Sequence, residues 1–121
     1  MTFLAIRGAT TCEGNTKEEI TSSTQKLVSE MMSRNEIEQS EIISILFTAT
    51  SDLTKEFPAT AARSLGLDDI PLMCAQELEI DGAMPRCIRV MMHVDVKKKR
   101  GEIKHVFLGQ AQNLRKDLVE K

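Results

Sequence analysis

Cys87-Ile88-Arg89-Val90-Met91-Met92-His93-Val94 is the stretch on which the fold turns. Successive side chains of a strand point to opposite faces, so Ile88, Val90, Met92 and Val94 make one apolar face, and Cys87, Arg89, Met91 and His93 make the other. A second run, Ile42-Ile43-Ser44-Ile45-Leu46-Phe47-Thr48-Ala49-Thr50, is nearly continuous in apolar and β-branched residues, the pattern of a strand covered on both sides. Around these two, residues 2–7 read as a first strand ending at Gly8. Residues 70–80 read as a further extended stretch closed by the turn Asp81-Gly82-Ala83-Met84-Pro85, and residues 102–108 as a last strand.

Two helices fit between the strands. Thr16 opens the first, with Glu19 three residues on as a capping box requires, and Ile20, Leu27, Val28, Met31 and Met32 carry its apolar stripe to about Arg34. Pro58 suits the first position of a short helix through Arg63 that Gly66 stops. The basic residues 97–100 fall in a loop, and the tail from Gly109 reads as short helix or coil. The pattern predicts an α+β fold in which a mixed sheet of about five strands carries one long and one short helix, with residues 1–121 forming one domain. Helices on one face leave the runs at 42–47 and 87–94 bare on the other, so the chain is expected to be an obligate oligomer. Four Phe with no Trp or Tyr point the same way, because a small chain with few large side chains builds only a small core.

Composition narrows the function classes. The chain is 41% apolar and 28% charged with a net charge of −2, which disfavours a nucleic-acid or membrane partner found by charge. No apolar run approaches the roughly 20 residues of a membrane span, and the first residues lack a secretion signal, so a cytoplasmic location is expected. Cys12, Cys74 and Cys87 are odd in number and fit no zinc or redox spacing, which suits reduced thiols. His93 and His105 lack metal-ligand spacing, and no phosphate loop, dinucleotide turn or nucleophile motif is present.

What remains is a set of charges in apolar surroundings. Arg89, in the middle of an apolar strand, requires a structural counter-ion, a route to water for its head group, or an anionic ligand. Arg7 ends the first strand beside Gly8-Ala9, where small residues leave room for a ligand to approach the backbone. Glu77, in Met73-Cys74-Ala75-Gln76-Glu77-Leu78, is either an exposed strand carboxylate or an acceptor for a partner or a ligand hydroxyl. Arg63 and Arg115, taken singly, read as surface charges. The residues by themselves describe an oligomeric protein with arginines suited to a small anion.

Taken in order, Ile6-Arg7-Gly8-Ala9-Thr10-Thr11, Phe57-Pro58-Ala59 with Ala62-Arg63, Cys74-Ala75-Gln76-Glu77, Cys87-Ile88-Arg89-Val90-Met91-Met92, His105-Val106-Phe107-Leu108 and Leu114-Arg115 resemble the AroH-class chorismate mutases over nearly the whole chain. The resemblance implies a homotrimer built as a pseudo-α/β-barrel, with active sites between adjacent subunits. It also implies a cofactor-free, metal-free isomerase that converts chorismate to prephenate by an intramolecular [3,3] rearrangement in phenylalanine and tyrosine biosynthesis. Arg89 is then expected at the ether oxygen, Arg7 at the side-chain carboxylate, and Glu77 with Cys74 at the ring hydroxyl. Phe57 and Ala59 would line the pocket with Met73 and Leu114, while Arg63 and Arg115 would gather charge at its mouth near the ring carboxylate. A small-molecule-binding or imine-hydrolysing trimer with an arginine in an intersubunit cleft is the alternative, and Arg7, Glu77 and Arg89 together favour the mutase.

Two positions depart from the family pattern: Phe107 stands where Tyr is typical, and Thr60 where some members carry Lys. The first removes a hydroxyl that would bond the side-chain carboxylate; the second lowers the charge at the cleft mouth. Cys74 and Glu77 have opposite strand parity, so either a bulge separates them or they serve clefts built from two different subunits, and the second fits an intersubunit site.

Overall fold

The computed structural model of the chain describes residues 1–114. Its centre is β4 (Cys87–Val96), the middle strand of a five-stranded sheet of order β3-β2-β4-β1-β5. β1 (Thr2–Thr11) and β2 (Ile42–Ala49) flank it antiparallel, while β5 (Val106–Phe107) and β3 (Leu72–Gln76) add parallel at the two edges. The alternation expected along β4 holds: Ile88, Val90, Met92 and Val94 are at most 3% exposed. Arg89, Met91 and His93 are half-buried on the opposite face.

Both helices cover the face of Val90 and Met92. α1 (Lys17–Arg34) contributes Leu27, Val28 and Met31, and α2 (Pro58–Ser64) contributes Ala59 and Ala62, to one core with Ile6, Ile45 and Phe47. α1 starts where the sequence placed its cap, the Thr16 hydroxyl accepting the Glu19 N–H at 3.1 Å. Pro58 opens α2, and Gly66, at φ +89°, follows its end. Among the described residues the other face carries neither α-helix, only the short 3-10 segment after β5, whose Ala111 packs on Ala9 and Phe107. Phe3 and Met73 are 76% and 67% exposed there, and past β3 Leu78 is 81% exposed.

Strand boundaries differ from the sequence reading, most of all in β1, β3 and β5. β1 runs on to Thr11 because its antiparallel ladder with β4 continues as far as Thr11 opposite Cys87. β3 stops at Gln76 because its partner β2 stops at Ala49, whose carbonyl takes the Glu77 N–H as the last bond. β5 is only two residues long. Upstream of it, side chains replace the backbone ladder: buried Asn35 bonds both the N–H and the carbonyl of Lys104, and His105 Nδ1 accepts the Arg7 N–H at 2.9 Å. Downstream, Gly109 at φ +57° turns the chain into a 3-10 segment, Gly109–Asn113.

Gly8 has a packing role in addition to its sequence reading. A Cβ there would lie 2.4 Å from Met31 Sδ and 3.1 Å from Leu27 Cδ1, so the missing side chain makes room for α1. Gly8→Ala should therefore cost about 1–3 kcal/mol through overpacking, read as a lower urea midpoint; an unchanged midpoint would show that Met31 moves aside freely. Burial pushes the Cys12 and Cys87 thiols above their ordinary value, which depletes the reactive thiolate. Iodoacetamide at neutral pH should thus leave both unmodified in the folded protein and alkylate them once it is unfolded; rapid native labelling of either would contradict this packing.

Candidate active site

The register of the sheet assembles a polar patch on the helix-free face. Ala75, Thr48, Arg89, Ala9 and Phe107 lie side by side across all five strands. The next row is Met73, Leu46, Met91 and Arg7. Gly8 and Ala9 leave a depression beside Arg89, and the cleft there, about 200 Å³, is also lined by Arg7, Thr48, Glu77, Met91 and Phe107. Glu77 reaches the same face because it lies two residues beyond Ala75.

Two guanidinium groups meet one carboxylate in this cleft. Glu77 Oε1 lies 3.3 Å from Arg89 Nε, and Oε2 accepts a hydrogen bond from the Thr48 hydroxyl. The ion pair is close but poorly aligned: the buried Nε–H of Arg89 has no hydrogen-bond acceptor among the described residues. Arg7 forms no ion pair among the described residues, and its backbone is fixed by His105. The cleft therefore carries a surplus of positive charge and an unused donor, an arrangement that can receive an anion or a developing negative charge.

The start of β4, which sets the height of Arg89, is tied down by a network that sequence reading missed. Asp52 accepts the Arg86 N–H at 2.9 Å from one oxygen and 3.2 Å from the other, and the Arg86 side chain donates to the Cys12 carbonyl at 3.0 Å. The Thr50 hydroxyl accepts the Cys87 N–H and donates to Asp52. Arg86 sits at φ +49°, a left-handed conformation costly for a side-chain-bearing residue and held here by these bonds.

Phe57 and Cys74 belong to a different cleft, of about 390 Å³, with Pro58 and Gln76. Cys74 pairs with Phe47 and packs toward the helices, whereas Glu77 faces away from them. No bulge separates Cys74 from Glu77 in the β3 ladder, so within one chain they serve two clefts. Beside Phe57, the Phe57 N–H bonded to Glu56 holds that carboxyl below its ordinary value, with help from Thr60 and Lys17.

The other expected site residues are scattered. Ala59 is 4% exposed and sits in the core. Arg63 is exposed on α2, donates to Thr60 at 3.3 Å and lines neither cleft. Met73 is exposed in the row of Arg7. Leu114 packs against Ala9, Phe107 and Ala111 and borders a shallow cavity with Arg89 and Met84. Arg115 lies outside the described residues. Thr48 went unnoticed in the sequence, although the alternation of Ile45 and Phe47 against Leu46 and Thr48 places it on the Arg89 face.

Comparison with known proteins identifies the family. Residues 3–118 match the family model of chorismate mutase type I. Chorismate mutase AroH of Bacillus subtilis (strain 168) is 40% identical over 119 residues, covering 98% of this chain and 94% of that protein. Chorismate mutase AroH of Thermus thermophilus is 40% identical over 114 residues, covering 93% of each. The solved structure of a chorismate mutase from Clostridium thermocellum superposes with a TM-score of 0.89 at 50% identity, covering 90% of this chain and 97% of that one. With a match along nearly its whole length in sequence and in fold, the chain belongs to the type I chorismate mutase family.

Proposed function

We propose that this chorismate mutase, an isomerase of aromatic amino-acid biosynthesis, works in clefts shared between neighbouring chains of a homotrimer in the cytoplasm. The observation that carries the reading is the Arg89 Nε–H, buried beside Glu77 without an acceptor, in a cleft that also holds Arg7. That cleft measures about 200 Å³. Ligand pockets usually span about 300–1,000 Å³, so one chain supplies only part of the enclosure. Phe57 and Cys74 face a second cleft of the same chain. Closing Arg7, Glu77 and Arg89 of one subunit against Phe57, Cys74 and Arg63 of the next makes a complete pocket from two halves. It also covers the exposed Phe3, Met73 and Leu78, which a lone chain would leave to water.

The chemistry fits such a pocket. In a [3,3] rearrangement one C–O bond breaks as one C–C bond forms, within one molecule, and no proton, electron or nucleophile has to be supplied. Rate enhancement must come from holding the compact conformer and from charge placed where charge develops. Arg89 places a fixed cation at the ether oxygen, which gains negative charge only as the bond breaks, so the interaction is stronger in the transition state than in the ground state. Arg7 grips the side-chain carboxylate through its planar fork. Glu77 accepts the ring hydroxyl with Cys74 as a second contact, Leu114 and Met73 extend the wall, and Arg63 with Arg115 attracts the ring carboxylate at the mouth. Ala59 contributes by setting the path of α2 beside Phe57.

Loss of chorismate absorbance with the purified protein tests the activity. Arg89→Ala should lower kcat by on the order of 100-fold or more, because it removes the transition-state cation; near-normal turnover would remove Arg89 from the reaction. Phe107→Tyr restores a hydroxyl to the floor of the cleft and should bind a bicyclic transition-state analogue about ten-fold tighter, as a hydrogen bond to a carboxylate allows. Unchanged affinity in isothermal titration would mean that position 107 does not touch the carboxylate.

A further inference from the structure

We propose that Thr48 is a positioning residue for the rearrangement: its hydroxyl holds the Glu77 carboxylate in a pose that leaves the Arg89 donors open to the substrate. The inference rests on the roles given above to Glu77 and Arg89. Thr48 lies directly between Ala75 and Arg89 in the sheet, so its side chain stands between the strand that leads to Glu77 and the strand that carries the cation.

Glu77 is poorly restrained by its own backbone. It lies past the last residue of β3, held by a single N–H bond to the Ala49 carbonyl, and the residue that follows it, Leu78, is 81% exposed. A glutamate with free torsions beside an arginine tends to form a two-pronged pair, in which both oxygens take guanidinium N–H groups. That pose would occupy the donors that an ether oxygen needs and cancel much of the charge. In the observed pose Oε2 is taken by the Thr48 hydroxyl. Oε1 approaches the guanidinium at 3.3 Å from Nε, and without a hydrogen bond there. The carboxylate keeps lone pairs for a ligand hydroxyl, and Arg89 keeps its donors. Threonine suits the task because branching at Cβ restricts χ1, so the strand itself aims the hydroxyl.

The test compares Thr48→Val, which keeps the shape and loses the hydroxyl, with Thr48→Ser, which keeps the hydroxyl, each alone and in a Glu77→Ala background. Thr48→Val should lower kcat about ten-fold, as expected for loss of a bond to a charged group, with an unchanged melting temperature. Thr48→Ser should stay within about two-fold of the parent, and Thr48→Val should have no further effect once Glu77 is gone. If Thr48→Val does not fold, Thr48→Ala takes its place in the same comparison. Wild-type kcat in Thr48→Val beside an impaired Glu77→Ala would overturn the role of Thr48 and leave that of Glu77 standing. An equal loss in both backgrounds would also overturn it, because Thr48 would then act without Glu77. Wild-type turnover in Glu77→Ala would bring down the assignment of Glu77 and this inference together.

Discussion

A guanidinium in the middle of an otherwise apolar strand is the constraint around which this protein is organised. Arg89 faces away from the helices, between Thr48 and Ala9 of the neighbouring strands, with a carboxylate near it and an Nε–H that nothing in the described chain accepts. Leaving such a donor buried and unsatisfied costs on the order of 1–3 kcal/mol, a large share of the stability of a small domain. The surroundings make the arrangement tenable: Ala9 leaves space, Glu77 supplies partial compensation, and the Asp52–Arg86–Cys12 network pins the strand just before the arginine. In the proposed mechanism that cost is recovered when an ether oxygen takes up negative charge at the same point.

The sheet supports the proposal that the site lies between chains. Both helices sit on one face, because Gly8 lets α1 approach β1 closely and the small residues Ala59 and Ala62 let α2 approach the sheet. The opposite face then has to display Arg7, Arg89 and Glu77 together with apolar side chains that water does not favour. The homotrimer proposed above would resolve both requirements at once, burying the apolar residues and bringing a second wall, carrying Phe57 and Cys74, over the charged one. Parity gives the same answer in miniature: Cys74, on β3, and Glu77, one residue past its end, face different clefts within one chain, and the proposed assembly would bring them to one cleft from two subunits.

Much of this was legible in the sequence, and the reasons differ by element. The alternation along residues 87–94 gave both the buried face and the outward position of Arg89. Thr16 and Pro58 marked helix starts through local chemistry that does not depend on the rest of the fold. Strand lengths were less legible, since β3 and β5 end where their partners end or where Asn35 and His105 replace the ladder, and those contacts span long sequence separations. Gly8 borders the cleft beside Arg7 as its small size suggests, but the sequence does not show that the space of its missing side chain is filled by Met31. Thr48 was invisible as a functional residue because its significance depends on pairing with Arg89 and reaching Glu77, 29 positions away. The roles of Arg63 and Arg115 rest on family resemblance, since Arg63 lines neither cleft of the chain and Arg115 is outside the described residues.

Subunit complementation tests the shared cleft most directly. Arg89→Ala disables one wall and Phe57→Asp, at an exposed position, places a carboxylate on the other against an anionic substrate. Each homotrimer should be nearly inactive alone. Refolded together in equal amounts, they should regain up to about a quarter of wild-type activity, because random assembly joins intact walls at about one site in four. A mixture no more active than the sum of its parents, in trimers shown by mass to contain both variants, would mean that each site lies within a single chain.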